Sequence, residues 1–594
     1  MAEGIVSLTV VIDLIGAHTS RLRPCRLSLM PVALIKGLIL VLTTWLVGCD
    51  GQQVHPRATL VPLAPIVWRA CDGADHALVS SRCGRYYPNS HGVGGAGAAG
   101  VYITFAILTP HSAPANAAPV VFMAGGPGEG GNTQGIKLER WRYWLLDNPI
   151  QRPLIVWDSR GNEGAWGYFE CEAYRLWSLN QLIQVTAPAS LDDERRQLQL
   201  CVDRWRQKLA GQSFQLFNSE QNARDILGAL EALEYSVWHV MSVSYGSRVA
   251  QWLAALAPKQ TQSLLLDSPY SWQTKSLAHH QRYWWQGLER FFTLCDEQAS
   301  CAGDRPMAVV FDAVIARLDK HPLKIKFKLE NYQYTAVIGA EAFAHLLFAL
   351  LYDPAAYQQV AHLLVTLAAA PSVLPVPSPS HSQPWPSAAP YEILAHILEF
   401  SYGPKANPWL YWLTQCNDNA SKVAARSVIP PVKWRRFLTP GAQQKVCELT
   451  GAQPQWRPPP SIPWLPVVVM SGALDPVTPT LSAQALAQKY GGVFIQAPKA
   501  GHGVLLTEAC DNTWFGDYWQ SPKAAFALWL QPSDTNSRIH TGIGNIDTGN
   551  TSNTATAEAV RLSALPYSAL TQAVIGPCRV EVFELPGEPA QAKG

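Results

Sequence analysis

The stretch His239-Val240-Met241-Ser242-Val243-Ser244-Tyr245-Gly246-Ser247 leaves the chain little freedom in how it folds. Up to Val243 it is a short apolar run suited to a buried strand. From Gly246 the apolar residues Val249, Trp252, Leu253 and Leu256 fall on one face of a helix. A strand that passes into a helix this sharply needs small residues where the backbone doubles back, and Ser242 and Gly246 flank Ser244 at two places on either side. Such a turn lifts Ser244 above a sheet, and the following amide, at Tyr245, opens the helix and faces a developing oxyanion. Ser242 is the rival serine. His239, inside the strand, reads as a structural histidine.

The rest of the chain supplies the sheet. Val101 to Leu108, Val120 to Ala124, Leu154 to Trp157, Val237 to Val243 and Ser263 to Leu266 are short apolar segments set between turns, and Leu465 to Met470 and Val493 to Ile495 follow much later. From about Ser271 to Trp464 lie helical patterns, Met307 to Leu318 and Glu341 to Leu351 among them, with no comparable strand series. The expected class is therefore α/β: a mainly parallel sheet with helices on both faces and a large, mostly helical cap insertion over its carboxyl edge, where such sheets bind ligands. The expected organisation is a leader over 1–49, core over 50–270, cap over 271–464 and core again over 465–594. Pro371 to Pro390 reads as an extended surface loop, and 533–557, rich in Thr, Asn, Gly and Ser, as a flexible excursion.

Two further segments place polar residues just past strands. Ala124-Gly125-Gly126-Pro127-Gly128-Glu129-Gly130-Gly131 follows the Val120 strand, and its bare backbone lets amides at Gly125 and Gly126 converge on a negative oxygen. It lacks the Gly-Lys-Ser/Thr ending of a phosphate loop, and Pro127 spoils a dinucleotide fingerprint. Ser471-Gly472-Ala473-Leu474-Asp475-Pro476 and Ala500-Gly501-His502-Gly503 then offer a carboxylate and an imidazole. Serine becomes nucleophilic when an imidazole takes its proton, and a carboxylate fixes the tautomer of that imidazole. Ser244, Asp475 and His502 form the predicted triad, in the chain order used by α/β-hydrolases.

Bulk properties bound the partners. With 46 basic against 44 acidic residues and no long basic run, nucleic acid is excluded as a partner. Ahead of the core, Lys36, the apolar Leu38 to Leu42 and Leu46-Val47-Gly48-Cys49 have the layout of a signal peptide. The last four residues resemble a bacterial lipobox, which implies lipidation at Cys49, with Met30 as the true start and Asp50 pointing to retention at the inner membrane. The membrane is then met through a lipid anchor only, with the protein facing the periplasm. Excluding Cys25 and Cys49, ten of the 12 cysteines remain: Cys71, Cys83, Cys171, Cys201, Cys295, Cys301, Cys416, Cys447, Cys510 and Cys578. In order they form five neighbouring pairs suited to disulfides in an oxidising compartment, with connectivity left open by sequence. Their spacing suits no zinc site, and no metal or cofactor is expected.

The motifs together resemble the prolyl iminopeptidase and tripeptidyl aminopeptidase group of α/β-hydrolases. Gly125 to Gly128 match its GGPG loop, Asp158-Ser159-Arg160-Gly161 its Asp-x-Arg-Gly segment, Ser244-Tyr245-Gly246 its elbow, and Gly472 to Pro479 with Gly501-His502 its last two elements, across about Cys71 to Cys578. Ser242 stands where the group usually has Gly, and Ala124 where prolyl iminopeptidases usually have His, which leans towards the tripeptidyl branch. The resemblance implies an α/β-hydrolase fold and exopeptidase action on short peptides, with an acidic group capturing the free N-terminal ammonium. Glu341, Glu392 and Glu399 are acids of the insertion, each equally a solvated helix residue. Asp158 and Arg160 read as a structural ion pair. The rival functions are an esterase or lipase using the same triad, and a non-catalytic lipoprotein that keeps the fold for binding.

Overall fold

The computed structural model describes residues 65–583 apart from 74–76, 89–99, 149, 184–190, 273–276, 298–304, 370–391, 403–407, 420–440, 454–456, 463, 507–509, 511–513, 524, 526–572 and 576–577. The leader with Met30, Cys49 and Asp50, the Pro-rich loop, Cys301 and the 533–557 stretch lie outside the described residues.

The strands, in chain order, are β1 (Ile66–Arg69), β2 (Val79–Tyr86), β3 (Ile103–Pro110), β4 (Val120–Met123), β5 (Leu154–Asp158), β6 (Trp238–Val243), β7 (Thr261–Asp267), β8 (Leu323–Leu329), β9 (Tyr332–Ile338), β10 (Val467–Gly472), β11 (Val493–Ala497), β12 (Ala573–Ile575) and β13 (Cys578–Val582). All but β8 and β9 join one sheet in the order β1-β2-β3-β5-β4-β6-β7-β10-β11-β13-β12. From β5 to β11 neighbours run parallel. Outside that block the pairing is antiparallel. This is the α/β-hydrolase fold, with a strand crossover that sets β4 between β5 and β6 and so opens a crevice at the carboxyl ends.

Parallel strands in this position read as unbroken apolar runs because helices cover both faces. Alternate side chains divide accordingly. Phe122, Met241, Leu265 and Met470 pack on one face with Trp141 and Phe515, while Val121, Val240, Leu266 and Val469 pack on the other with Val249, Leu253 and Leu486. The first group draws on helices Gly135–Asp147 and Trp514–Gln520, the second on Ser219–Ala232, Gly246–Leu256 and Thr480–Tyr490.

Between β7 and β10 the chain builds a separate apolar cluster, with Phe291, Phe311, Leu347 and Leu363 packed around Ile325 and Phe327. Beside the helices expected of this mostly helical region, those last two belong to the β8–β9 hairpin, which the sequence reading did not include. Leu323, Ile325, Phe327 and Leu329 alternate with three lysines, so one face is buried and the other wet, and Glu330 takes the positive φ of the turn at 54°. The outer antiparallel strands β1, β2, β12 and β13 are likewise not among the expected strands. Strand β2 is half polar, which hides it among loop sequence.

Disulfides join Cys71–Cys83, Cys171–Cys201, Cys416–Cys447 and Cys510–Cys578, all neighbours in cysteine order. Cys295 is also disulfide-bonded. The bond from Cys510 to Cys578 spans 68 residues and ties β13 to the segment ahead of the helix Trp514–Gln520. Replacing both cysteines by Ser is expected to cost about 4 kcal/mol by releasing a loop of that length in the unfolded chain. The denaturant midpoint in oxidising buffer checks this, and an unchanged midpoint would show that the last strand docks without the bond.

Candidate active site

Ser244 lies directly after β6 with φ 54°, a left-handed backbone that a residue bearing a Cβ adopts at a cost. The strain is held by neighbours. The Ser244 amide donates to Asp267 O at 2.9 Å, while its carbonyl accepts from Ser247 N at 3.0 Å and Tyr270 N at 3.0 Å. Gly246 is fixed by contact, since a Cβ there would lie 2.1 Å from Met123 O. The rival Ser242 is fully buried, its hydroxyl donating to Leu265 O at 3.3 Å, and cannot meet a substrate. His239 is also structural: its Nδ1 lies 2.8 Å from Ser263 Oγ, and burial, aided by the Arg152 charge, lowers it to about 3, so it stays neutral.

The glycine loop passes beside this turn. A Cβ on Gly125 would approach Ser244 Cβ to 3.2 Å, which sets Gly125 directly beside Ser244. Tyr245, on the other side, caps the helix Gly246–Leu256. Its amide and that of Gly125 donate to no intramolecular acceptor among the described residues, so both remain open to an external oxygen. Gly126, at φ 99°, turns the loop away into Pro127.

The far end of the loop is anchored by Asp158. Its carboxylate accepts from Asn132 N at 2.9 Å, Thr133 N at 3.0 Å and Thr133 Oγ1 at 2.6 Å. Arg160 turns elsewhere and makes a buried two-pronged pair with Asp225, both contacts at 2.7 Å. The expected pairing of Asp158 with Arg160 is therefore corrected: each is structural, with a different partner, because the Asp158 oxygens are taken by Asn132 and Thr133 and the Arg160 guanidinium by Asp225.

Asp475 and His502 meet. His502 Nδ1 donates to Asp475 Oδ2 at 2.8 Å. Thr478 Oγ1 donates to the same oxygen at 2.5 Å, and the amides of Val477 and Thr478 donate to Oδ1 at 2.8 and 2.9 Å. Burial pushes the Asp475 carboxyl up, but the His502 charge and the hydrogen bonds from His502 and Thr478 outweigh it and hold it below its ordinary value. For His502 burial acts downwards, and the Asp475 charge and hydrogen bond, with smaller help from Asp267 and Glu129, leave it above its ordinary value. With Nδ1 committed to the carboxylate, Nε2 is the nitrogen left for proton exchange. The two loops cross closely, for a Cβ on Gly472 would sit 2.0 Å from Gly501 O.

Three residues that the sequence reading passed over hold this arrangement together. Asp267, at the end of β7, takes the Ser244 amide on its main-chain oxygen and the amides of Val504 and Leu505 on its carboxylate, at 3.0 and 2.7 Å. Ser268 Oγ accepts from Gly503 N at 2.9 Å. Thr478 locks the acid. Burial pushes the Asp267 carboxyl up to about 6 against the pull of these donors. The available signal was its position, a lone acid closing an apolar strand. From the β7–β10 region, Tyr352 meets the His502 ring edge-on at 5.7 Å, Tyr357 Oη donates to Leu474 O at 3.2 Å, and Arg290 donates to Ala473 O.

Residues 437–525, which include Asp475 and His502, match the family model described as TAP-like protein. The chain has the α/β-hydrolase fold, and its C-terminal part is TAP-like. No curated protein matches the chain. Solved structures similar to this α/β-hydrolase include a 2-hydroxy-6-oxo-6-phenylhexa-2,4-dienoate hydrolase from a Rhodococcus species, at 12% identity, 76% of this chain, 99% of that one and TM-score 0.29. A proline iminopeptidase-related protein from Thermus thermophilus is similar at 13% identity, 72% and 94% coverage and TM-score 0.27. A putative non-heme bromoperoxidase from Mycobacterium tuberculosis is similar at 15% identity, 70% and 90% coverage and TM-score 0.25.

A base must be neutral to accept a proton, so activity should rise with pH through a His502 value above the ordinary 6.5. Asp475→Asn removes the charge that raises it. The acid limb of kcat/KM is expected to move to lower pH while kcat falls about 10³- to 10⁴-fold. A limb that stays in place would assign it to another group.

Proposed function

We propose that the chain is a serine hydrolase that releases short N-terminal units from peptides, an exopeptidase of the aminopeptidase type. The observation that carries the reading is the strained Ser244 turn, tied through Asp267 to the loop whose His502 is hydrogen-bonded to Asp475. Ser244 Oγ attacks the peptide carbonyl carbon while His502 Nε2 takes its proton. The oxyanion is met by the amides of Tyr245 and of Gly125 or Gly126. His502 then protonates the leaving amine as the C–N bond breaks, and an acyl ester remains on Ser244. Water attacks that ester with His502 again as base, which frees the acid and restores the serine. The resemblance of the glycine loop, the elbow and the last two motifs to the prolyl iminopeptidase and tripeptidyl aminopeptidase group supports the peptidase reading, and the TAP-like match over residues 437–525 supports a hydrolase.

We also propose an envelope location, with the chain anchored by a lipid on Cys49 and facing the periplasm. The disulfides support an oxidising compartment. Among the described residues no helix is long and apolar enough to cross a membrane.

Ser244→Ala is expected to lower kcat about 10⁵-fold or more with folding kept, and a fluorophosphonate probe should label the native protein at Ser244 only. Labelling elsewhere, or full activity in the variant, would move the role to another residue. A panel of peptide amides and acyl esters tests the bond: faster turnover of esters alone would favour the esterase reading. Cys49→Ser should move the protein from the membrane fraction to the soluble periplasmic fraction, and unchanged fractionation would contradict the anchor.

A further inference from the structure

Glu129 lies in the glycine loop, yet the mechanism above gives it no task. Its side chain is exposed, and among the described residues it makes no ion pair. Its placement is specific. Glu129 Oε2 and Ser244 Cβ each lie 3.2 Å from the point where a Cβ on Gly125 would stand, so carboxylate and nucleophile flank the same loop glycine. The loop is not free to carry the acid away. Glu129 O accepts from Asn132 Nδ2 at 2.8 Å, and Asn132 N is held in turn by Asp158 at 2.9 Å.

The charge is felt across the site. It is one of the causes that raise His502, and burial, then Asp475, then Glu129 hold the Tyr352 phenol above its ordinary range. An uncompensated carboxylate beside a nucleophile favours a cation on the substrate. When the released unit is a single amino acid, its α-ammonium stands one carbon from the carbonyl under attack. A carboxylate next to Ser244 is then placed for it, and poorly placed for a cation far along a side chain or at the end of a longer acyl peptide. The acids of the β7–β10 region are set otherwise: Glu399 accepts from Lys328 N on β8, and Glu341 is exposed on the first turn of the helix Ala340–Leu350.

We propose that Glu129 is the specificity-determining residue that binds the α-ammonium of the substrate acyl group, so that N-terminally free acyl groups are chosen over N-blocked ones. The proposal rests on the serine-hydrolase reading and gives its substrate class a named contact.

The test compares an amino-acid ester with its N-acetyl counterpart in the full-length protein, as wild type, Glu129→Gln and Glu129→Asp, with kcat/KM for each. Wild type is expected to prefer the free amine, and Glu129→Gln to lower the free-amine to N-acetyl ratio about ten- to hundred-fold, as a lost charge-assisted contact would. Glu129→Asp should recover part of the ratio. Equal loss on both esters would mean that Glu129 acts on the His502 imidazolium and would overturn the proposal, as would a ratio that does not move. Peptide amides measured alongside separate the two readings. Inert amides with a Glu129-dependent ester preference would sink the peptidase reading alone, and no turnover of any of them by wild type would sink both.

Discussion

Asp267 is the point at which the site is assembled. One residue at the end of a central strand gives its main-chain oxygen to the amide of the strained Ser244 and its carboxylate to the two amides that follow His502 and Gly503. Two loops, 258 positions apart by sequence number at Ser244 and His502, are thereby referred to one short rigid strand. Buried donors left without that acceptor would each cost about 1–3 kcal/mol, so the junction is favoured by the same bonds that set the geometry. Activity depends on this because small displacements of a catalytic group remove much of its effect.

The second constraint is steric. The backbones of the elbow and of β4 touch at Gly246 and Met123, and the acid and histidine loops touch at Gly472 and Gly501. These contacts leave no room for a side chain at the crossing points. The elements between β7 and β10 add a third hold, since Arg290, Tyr352 and Tyr357 all reach the loops that carry Asp475 and His502. A movement of that region would therefore be transmitted to the base and its carboxylate.

The sequence disclosed what local pattern can encode. Strands covered on both faces are apolar throughout, so β3 to β7, β10 and β11 could be read within a few residues. The elbow announced itself because a strand, small residues and an amphipathic helix follow one another without a gap. The outer antiparallel strands escaped because they mix polar with apolar residues, as in β2, and the β8–β9 hairpin was obscured by the helical patterns around it. Asp267 and Thr478 were hidden for a different reason: their importance comes from the groups they meet in space. Asp158 and Arg160 show the opposite error, in which neighbours in sequence suggested a pair whose members are each taken by a partner distant in the chain.

In the mechanism we propose, Ser244 and His502 act as one unit. Turnover by Ser244→Ala, His502→Ala and the double variant, against the best substrate found, measures it most directly. If the two side chains share one proton transfer, the double variant loses about as much as either single one. Losses that multiply, with each residue contributing independently, would contradict the account.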